Sequence, residues 1–310
     1  MMPEILVVGS LNTDLVVRAP RFPQPGETIS GEGLQVIPGG KGANQAVAAS
    51  RLGANVSMLG RVGRDNFGDF LIEKLKANKV DTQLIQRDDA PTGTAIIIVD
   101  SNGQNSIVLS AGANGKVSSQ DVELASFSTP STRSGRRFDL LLLQLEIPTP
   151  TVLSATQRAK DYSVRVILNP APAKQLPDEL ISLADFIVPN ETELSLLTSM
   201  ELKDIPSAEK AAKKLLKRGA QNVIVTLGNN GALIINKEKS THINPYEVDV
   251  VDTTAAGDAF IGGFAVALGS SSLLDAVRYG CACGALATTK FGAQPSLPTK
   301  DEVERFMSLR

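Results

Sequence analysis

Short apolar runs that alternate with helical patterns constrain this chain more than any other feature. The runs fall at residues 5–8, 55–59, 140–145, 164–168, 186–188 and 223–227, and are rich in Val, Ile and Leu. They lack the polar alternation of a half-exposed strand, which predicts strands buried on both faces. Helical spacing covers residues 41–52, 67–78, 149–160, 191–199 and 208–218. Gly53 and Gly219 stand where a left-handed C-cap residue belongs. Such alternation predicts an α/β fold built on a mainly parallel sheet.

Two regions break the rhythm. Residues 14–40 are crowded with Pro and Gly, and residues 92–111 hold two β-rich runs around Ser101-Asn102-Gly103-Gln104, a strong hairpin signal. Antiparallel pieces inserted early into such a chain predict a small β lid, from segments near 12–40 and 92–112, standing over the core. The remainder reads as one core domain within 1–310. The basic stretch 131–137 reads as a solvated loop, and Lys210, Lys213, Lys214, Lys217 and Arg218 read as the polar face of an amphipathic helix.

Composition excludes several classes of function. With 31 basic and 33 acidic residues the net charge is −2, which does not suggest the basic face that a nucleic-acid partner requires. Cys281 and Cys283 lie two apart in a helical stretch, so their side chains diverge and provide neither a disulfide nor a metal-ligand spacing. Glu4 stands where a secretory signal needs positive charge, so the first apolar run reads as the opening strand of a cytoplasmic protein. The most apolar stretch, 259–269, falls far short of the roughly 20 residues that span a membrane. His242 is the only histidine and lies in a polar stretch, which removes Ser-His-Asp and Cys-His catalysis.

The most informative segment runs from Val251 to Phe260, where a strand-like VDVVD gives way to small residues and then to a Gly/Ala-rich helix. Open backbone amides at a helix N-terminus attract anions, so Ala255, Ala256 and Gly257 suit developing phosphate charge. Asp258 feels the same positive end, which should keep it ionised and able to take a hydroxyl proton. The same residues equally suit a plain helix start, with Asp252 or Thr254 as cap and Asp258 complementing the dipole. Pro38 to Ala46 also opens a helix with paired glycines and places Lys41 and Asn44 toward a polar ligand; it lacks the GxxxxGK[ST] spacing of a P-loop. Asn12 and Asp14 follow the first strand, where they serve either sugar hydroxyls or a turn. Asn190 to Glu193, Thr226 to Gly231 and Glu146 each lie just past a strand, on the edge where open α/β sheets bind ligands. For 226–231 a simple hairpin turn is the plainer reading. Gly9 to Asp14 lacks the GxGxxG turn of a dinucleotide-binding oxidoreductase, and the presence of Asp258 argues against a silent sugar-binding protein.

Taken together, GGKGANQA ending at Ala46, NETE at 190–193, DTTAAGD at 252–258 and GAQPS at 292–296 resemble the PfkB carbohydrate kinase family across nearly the whole chain. The resemblance implies a three-layer α/β/α core with a small β lid, and ATP-dependent phosphorylation of a sugar. Lys41 and GAQPS favour D-ribose at O5, with fructose, a deoxyribose or adenosine as alternatives. It implies Asp258 as base beside an anion hole at Ala255, Ala256 and Gly257, and sugar contacts from Asn12, Asp14, Gly40, Lys41, Gly42, Ala43, Asn44 and Glu146. It implies nucleotide contacts from Asn190, Thr226, Leu227, Gly228, Asn229, Asn230, Gly231, Gly257 and Cys281. Glu193 is implied in organising Mg²⁺ and its waters. A K⁺ ion is implied near Asp252, Thr254, Ala287, Lys290, Gly292 and Ser296, several through carbonyls alone. Cys281 replaces the asparagine that many members place near adenine. A homodimer through the lid completes the expectation.

Overall fold

The computed structural model describes residues 2–127 and 137–309, so the basic run at 131–136 lies outside the described residues. Arg137, its last member, lays its guanidinium 5.1 Å from the centroid of the Phe138 ring. In the first third of the chain come β1 (Glu4–Val8), β2 (Asn12–Arg18), β3 (Glu32–Gly39), α1 (Lys41–Arg51), β4 (Asn55–Gly63), α2 (Asn66–Ala77), β5 (Ile85–Asp88), β6 (Gly93–Val99) and β7 (Asn105–Ser110). The middle holds α3 (Ser119–Leu124), β8 (Leu140–Leu143), α4 (Thr149–Asp161), β9 (Arg165–Leu168), α5 (Asp178–Leu183), β10 (Phe186–Ile187), α6 (Glu191–Thr198) and α7 (Ile205–Lys217). The last third holds β11 (Asn222–Thr226), β12 (Ala232–Asn236), β13 (Ser240–Ile243), α8 (Ala256–Leu268), α9 (Leu273–Ala287), α10 (Ala293–Ser296) and α11 (Lys300–Ser308).

Among the described residues the main sheet has the order β13-β12-β11-β10-β9-β8-β1-β4-β5. From β5 to β11 every pairing is parallel, whereas β12 and β13 run antiparallel at the edge. Strand β1 shows why the interior sequence is continuously apolar. Ile5 and Val7 enter one core with α1, α8 and α9, while Leu6 and Val8 enter the opposite core with α4, α5 and α7. Two helical layers therefore enclose the sheet, giving the three-layer α/β/α architecture. Because β1 has β4 on one side and β8 on the other, the chain order reverses there, and the carboxyl ends of β1 and β8 open onto a crevice suited to ligands.

A second sheet has the order β3-β2-β6-β7. Antiparallel pieces were the expectation for this region, and the outer pairs β2–β3 and β6–β7 are antiparallel; the central pair β2–β6 is parallel, with Asn12 opposite Gly93. Between those two strands the chain makes a long excursion through the core, which is what a parallel pairing requires. The β6–β7 turn is the expected one: Gly103 has φ 78°, and the Asp100 carboxylate accepts from the amides of Asn102 and Gln104. Every residue of β7 is exposed, including Ile107, Val108 and Leu109.

Candidate active site

The first half of the site forms where β3 turns into α1. Gly40 has φ 89°, and a Cβ there would come within 2.7 Å of the Asn12 amide nitrogen, so only glycine lets the chain pass this close to the start of β2. Helix α1 then projects Lys41, Asn44 and Gln45 from one face, as the spacing i, i+3, i+4 dictates. Glu146, just past β8, ties three segments together: its Oε2 accepts from Ser10 Oγ at 2.5 Å, from the Lys41 amide at 3.1 Å and from Asn12 Nδ2 at 3.4 Å. Asn114 fixes the same junction, donating to the Leu11 carbonyl and Asn12 Oδ1 and accepting from the Leu11 amide. Asp14 stands two residues further along β2, so Asn12 and Asp14 belong to a strand and not to a turn. Gly42 and Ala43 were expected to touch the sugar. Their amides instead donate to Ser10 Oγ and the Ser10 carbonyl, at 3.3 and 2.9 Å, and both residues are buried.

The second half is the start of α8. Ala255 precedes it with φ 60°, a left-handed conformation that costs a non-glycine residue about 1 kcal/mol. The plain-cap alternative does not hold, since α8 has no side-chain cap. Asp252 Oδ1 accepts from the Thr254 amide and hydroxyl, and its Oδ2 from the Gly292 amide. Of the three amides expected to receive an anion, that of Ala256 donates to the Thr253 carbonyl at 3.2 Å, whereas those of Ala255 and Gly257 have no acceptor among the described residues. A Cβ at Gly257 would meet nothing within 4 Å, so the helix start faces open space.

Asp258 is 6% exposed, and each of its oxygens accepts from an amide: Oδ2 from Asn44 Nδ2 at 2.9 Å and Oδ1 from Gln45 Nε2 at 3.0 Å. The helix end was expected to hold this carboxyl in the ordinary acidic range. Burial instead pushes it upward, against the opposing pull of Lys41, Asn44 and Gln45. Glu193 is likewise raised by burial. For Lys41 burial pulls the ammonium down, but Asp258, Glu146, Glu193 and Asp14 together leave it raised and firmly charged.

Asp14 is pushed up to about 7, first by burial and then by Glu146 and Asp258. Between its ordinary value of 3.8 and about 7 the folded chain therefore binds the extra proton. Stability is present below that window and declines as pH rises through it. Melting temperatures measured from pH 4 to pH 8 should show this decline, and Asp14→Asn should flatten it; an identical slope in the variant would refute the assignment.

Beyond these groups lie two cavities with wall residues in common. One of about 740 Å³ is lined by Asn190, Thr226, Gly228, Asn229, Gly231, Gly257 and Cys281, all expected at a nucleotide. Leu227, by contrast, is 2% exposed and belongs to the core, and Asn230 turns its carbonyl to within 2.7 Å of His242 Nε2. Residues 226–231 are at once the β11–β12 hairpin turn and part of this wall. Cavity volume in this range matches a drug-sized ligand. A smaller cavity of about 170 Å³ holds Lys41, Asn169, Glu193 and Asp258, and shares Asn190, Thr226, Thr253, Gly257 and Phe260 with its neighbour. Asn190 and Glu193 cap α6 reciprocally, with bonds of 2.8 to 3.0 Å.

The residues expected around a K⁺ ion are brought together in part. Asp252 bonds to the Gly292 amide, and the amides of Val251 and Asp252 bond to the Thr288 carbonyl beside Ala287. The Lys290 side chain turns away to Glu302 at 2.6 Å, and Ser296 Oγ is buried on the Ala293 carbonyl. Among the described residues no group of three or more His, Cys, Asp or Glu side chains forms a metal cluster. No helix among them is long and apolar enough to cross a membrane.

A site with a buried carboxyl, a neighbouring cation, an open helix N-terminus and a nucleotide-sized cavity finds its counterpart among known proteins. The profile described as "pfkB family carbohydrate kinase" matches residues 2–300. The chain belongs to the PfkB family of carbohydrate kinases. The kinase is 43% identical to a ribokinase of Haemophilus influenzae over 309 residues, 99% of each chain, and 36% identical to a deoxyribokinase of Salmonella typhi over 99% of each. Its structure superposes with a TM-score of 0.90 on Arabidopsis thaliana ribokinase in complex with ribose and ATP, at 34% identity over 99% of each chain.

Several residues around the site lie beyond what the motifs indicate, namely Ser10, Asn114, Gln144 and Asn169, while Gln45 stands within GGKGANQA without an assigned role. Gln144 and Asn169 did carry a signal, as polar residues ending otherwise apolar runs.

Proposed function

We propose that the kinase transfers the γ-phosphoryl group of ATP to O5 of D-ribose, giving D-ribose 5-phosphate and ADP. The observation that carries this reading is Asp258: buried, held by two amides, and lining the small cavity where the nucleotide-sized cavity ends. The 43% identity to a ribokinase over the whole chain supports ribose as the acceptor.

In this reading the sugar lies against Asn12, Asp14, Gly40, Lys41, Asn44 and Glu146, with its reacting hydroxyl on Asp258. Asp258 takes the hydroxyl proton as the oxygen attacks phosphorus in line with the departing ADP. The amides at the α8 start and the Lys41 ammonium hold the charge that builds on the transferring group. The raised affinity of Asp258 for a proton suits a base that must receive one. A base so buried also keeps water from competing as acceptor.

Two ions belong to the proposal. Mg²⁺, when bound, supplies charge neutralisation on the phosphates. Glu193 lines the same small cavity as Asp258 and offers a hard oxygen donor that suits this ion through its water shell. For K⁺, the linked loops at Asp252 and Gly292 offer one carboxylate and several carbonyls, a donor set fitting a weakly charged cation. The second sheet serves as a lid. Its exposed face, with Val36, Ile96 and Val108 in register, suits a second subunit in a homodimer. ATP as co-substrate fits a cytoplasmic location.

ADP release with ribose, deoxyribose, fructose and adenosine, in Mg²⁺ with and without K⁺, tests this directly. A clear ribose preference raised by K⁺ is expected. Faster turnover of deoxyribose, whose kinase is a 36% identical relative, would move the acceptor assignment at Asn12, Asp14 and Lys41 and leave the transfer chemistry in place.

A further inference from the structure

Asp258 is held by a chain of three side-chain amides that the proposed mechanism does not use. Gln45 lies fully buried on α1, and both hydrogens of its Nε2 are engaged: one with Asp258 Oδ1 at 3.0 Å, the other with Asn169 Oδ1 at 3.2 Å. Its Oε1 accepts from Gln144 Nε2 at 2.6 Å, and Gln144 is itself fully buried just past β8. Asn169, past β9, donates through Nδ2 to the Val188 carbonyl at 3.0 Å. A side-chain amide has two chemically opposite ends, and its neighbours decide which one faces where. A carbonyl can only accept, so Val188 orients Asn169 with its oxygen toward Gln45. Gln144 offers a donor from the other side. Turning the Gln45 amide over would set its oxygen against both Asp258 Oδ1 and Asn169 Oδ1, two acceptors, and its nitrogen against a donor. The orientation of Gln45 is thereby fixed from three strand ends of the main sheet.

We propose that Gln45, oriented by Gln144 and Asn169, is a positioning residue that keeps Asp258 ionised enough to act as base and aims its carboxylate at the acceptor hydroxyl. The inference rests on the assignment of Asp258 as base. An amide donor is well chosen for this duty: it stabilises the carboxylate and, because its N–H protons do not ionise in the working pH range, never competes with the substrate hydroxyl for the role of acid. The other groups facing Asp258 are the Lys41 ammonium, which also favours the ionised form, and the carboxyls of Glu146, Glu193 and Asp14 around that ammonium, which oppose it. Gln45 and Asn44 thus act with Lys41 against burial and like charge.

The test is the pH dependence of kcat with saturating ribose, ATP and Mg²⁺, in the native chain, Gln45→Met and Gln144→Met, each checked for folding by thermal melting and ADP binding. Removing a donor from a carboxylate destabilises its charged form, so the rising acidic limb should move to higher pH. A hydrogen bond to a charged group is strong enough to move it by about one unit or more in Gln45→Met. Gln144→Met, which only frees Gln45 to turn, should move the limb the same way by less. A folded Gln45→Met enzyme with an unmoved limb overturns the proposal; if that variant fails to fold, an unmoved limb in Gln144→Met does so. Near-normal turnover in Asp258→Asn would remove the base assignment and this inference together, whereas an inactive Asp258→Asn beside an unmoved Gln45→Met limb removes the positioning role alone.

Discussion

Asp258→Asn should leave a folded protein that binds ATP and ribose yet turns over about 10²- to 10⁴-fold more slowly, the range that a positioned general base supplies. The geometry favours a clean result. Asparagine has the same shape, and its carbonyl oxygen can still accept from Asn44 or Gln45, the two partners at 2.9 and 3.0 Å. One of those partners will face an NH₂ group, a local cost, while a buried carboxylate with an upward-shifted proton affinity is removed, a local gain. Melting temperature and sugar affinity should therefore change little as kcat falls. Calorimetric binding of ribose and ADP, set beside single-turnover rates, separates the two; near-normal turnover would rule Asp258 out as base.

Lys41→Met is expected to be nearly as severe, for a different reason. The ammonium is the cation that Asp14, Glu146, Glu193 and Asp258 all face. Without it those carboxyls confront one another in a buried site, and Asp14, Glu193 and Asp258 hold their protons more tightly. Asp14, already at about 7 with Lys41 present, should then be protonated at neutral pH, and Asp258, already raised by burial, should be driven further toward its protonated form. A protonated base cannot accept the sugar hydroxyl's proton, so turnover at pH 7 should drop by about 10²-fold or more, the scale seen on removal of one electrostatic group from a transition-state site. Because the defect is one of protonation as well as of lost charge, activity should recover in part as pH is raised. A pH-independent loss would show that Lys41 acts only by contact.

The parts of this molecule legible in its sequence are those whose physics is local. Strands buried on both faces appear as unbroken apolar runs, and α1 appears because Lys41, Asn44 and Gln45 open a stretch of small residues after paired glycines. The hairpin at Asn102-Gly103 follows from turn chemistry. What was not legible depends on neighbours distant in sequence. The parallel pairing of β2 with β6 joins residues about eighty positions apart, and nothing in either strand announces its partner. The antiparallel edge strand β13 escapes notice because Ser240, Thr241 and His242 lack an apolar run. The helix-end argument for Asp258 considered one positive pole; burial, the larger effect, exists only once α1 packs over α8. Gln144 and Asn169 were missed because they do not titrate and lie in no recognised motif, and Gln45, although within GGKGANQA, carries no role that spacing alone reveals; the value of all three lies in which way they face.

The small and large cavities share Gly257 and Phe260 in their walls, so the two halves of the site adjoin at the start of α8. Inhibitor design inherits a simple rule from that shape. A single molecule with a pentose-like head and a nucleotide-like tail would pay the entropy of association once, and its second half would bind at an effective concentration set by the connector. The α8 amides stand where the two halves meet, so the connector should be anionic there. Its length and charge, more than the affinity of either end, would decide how tightly such a molecule is held.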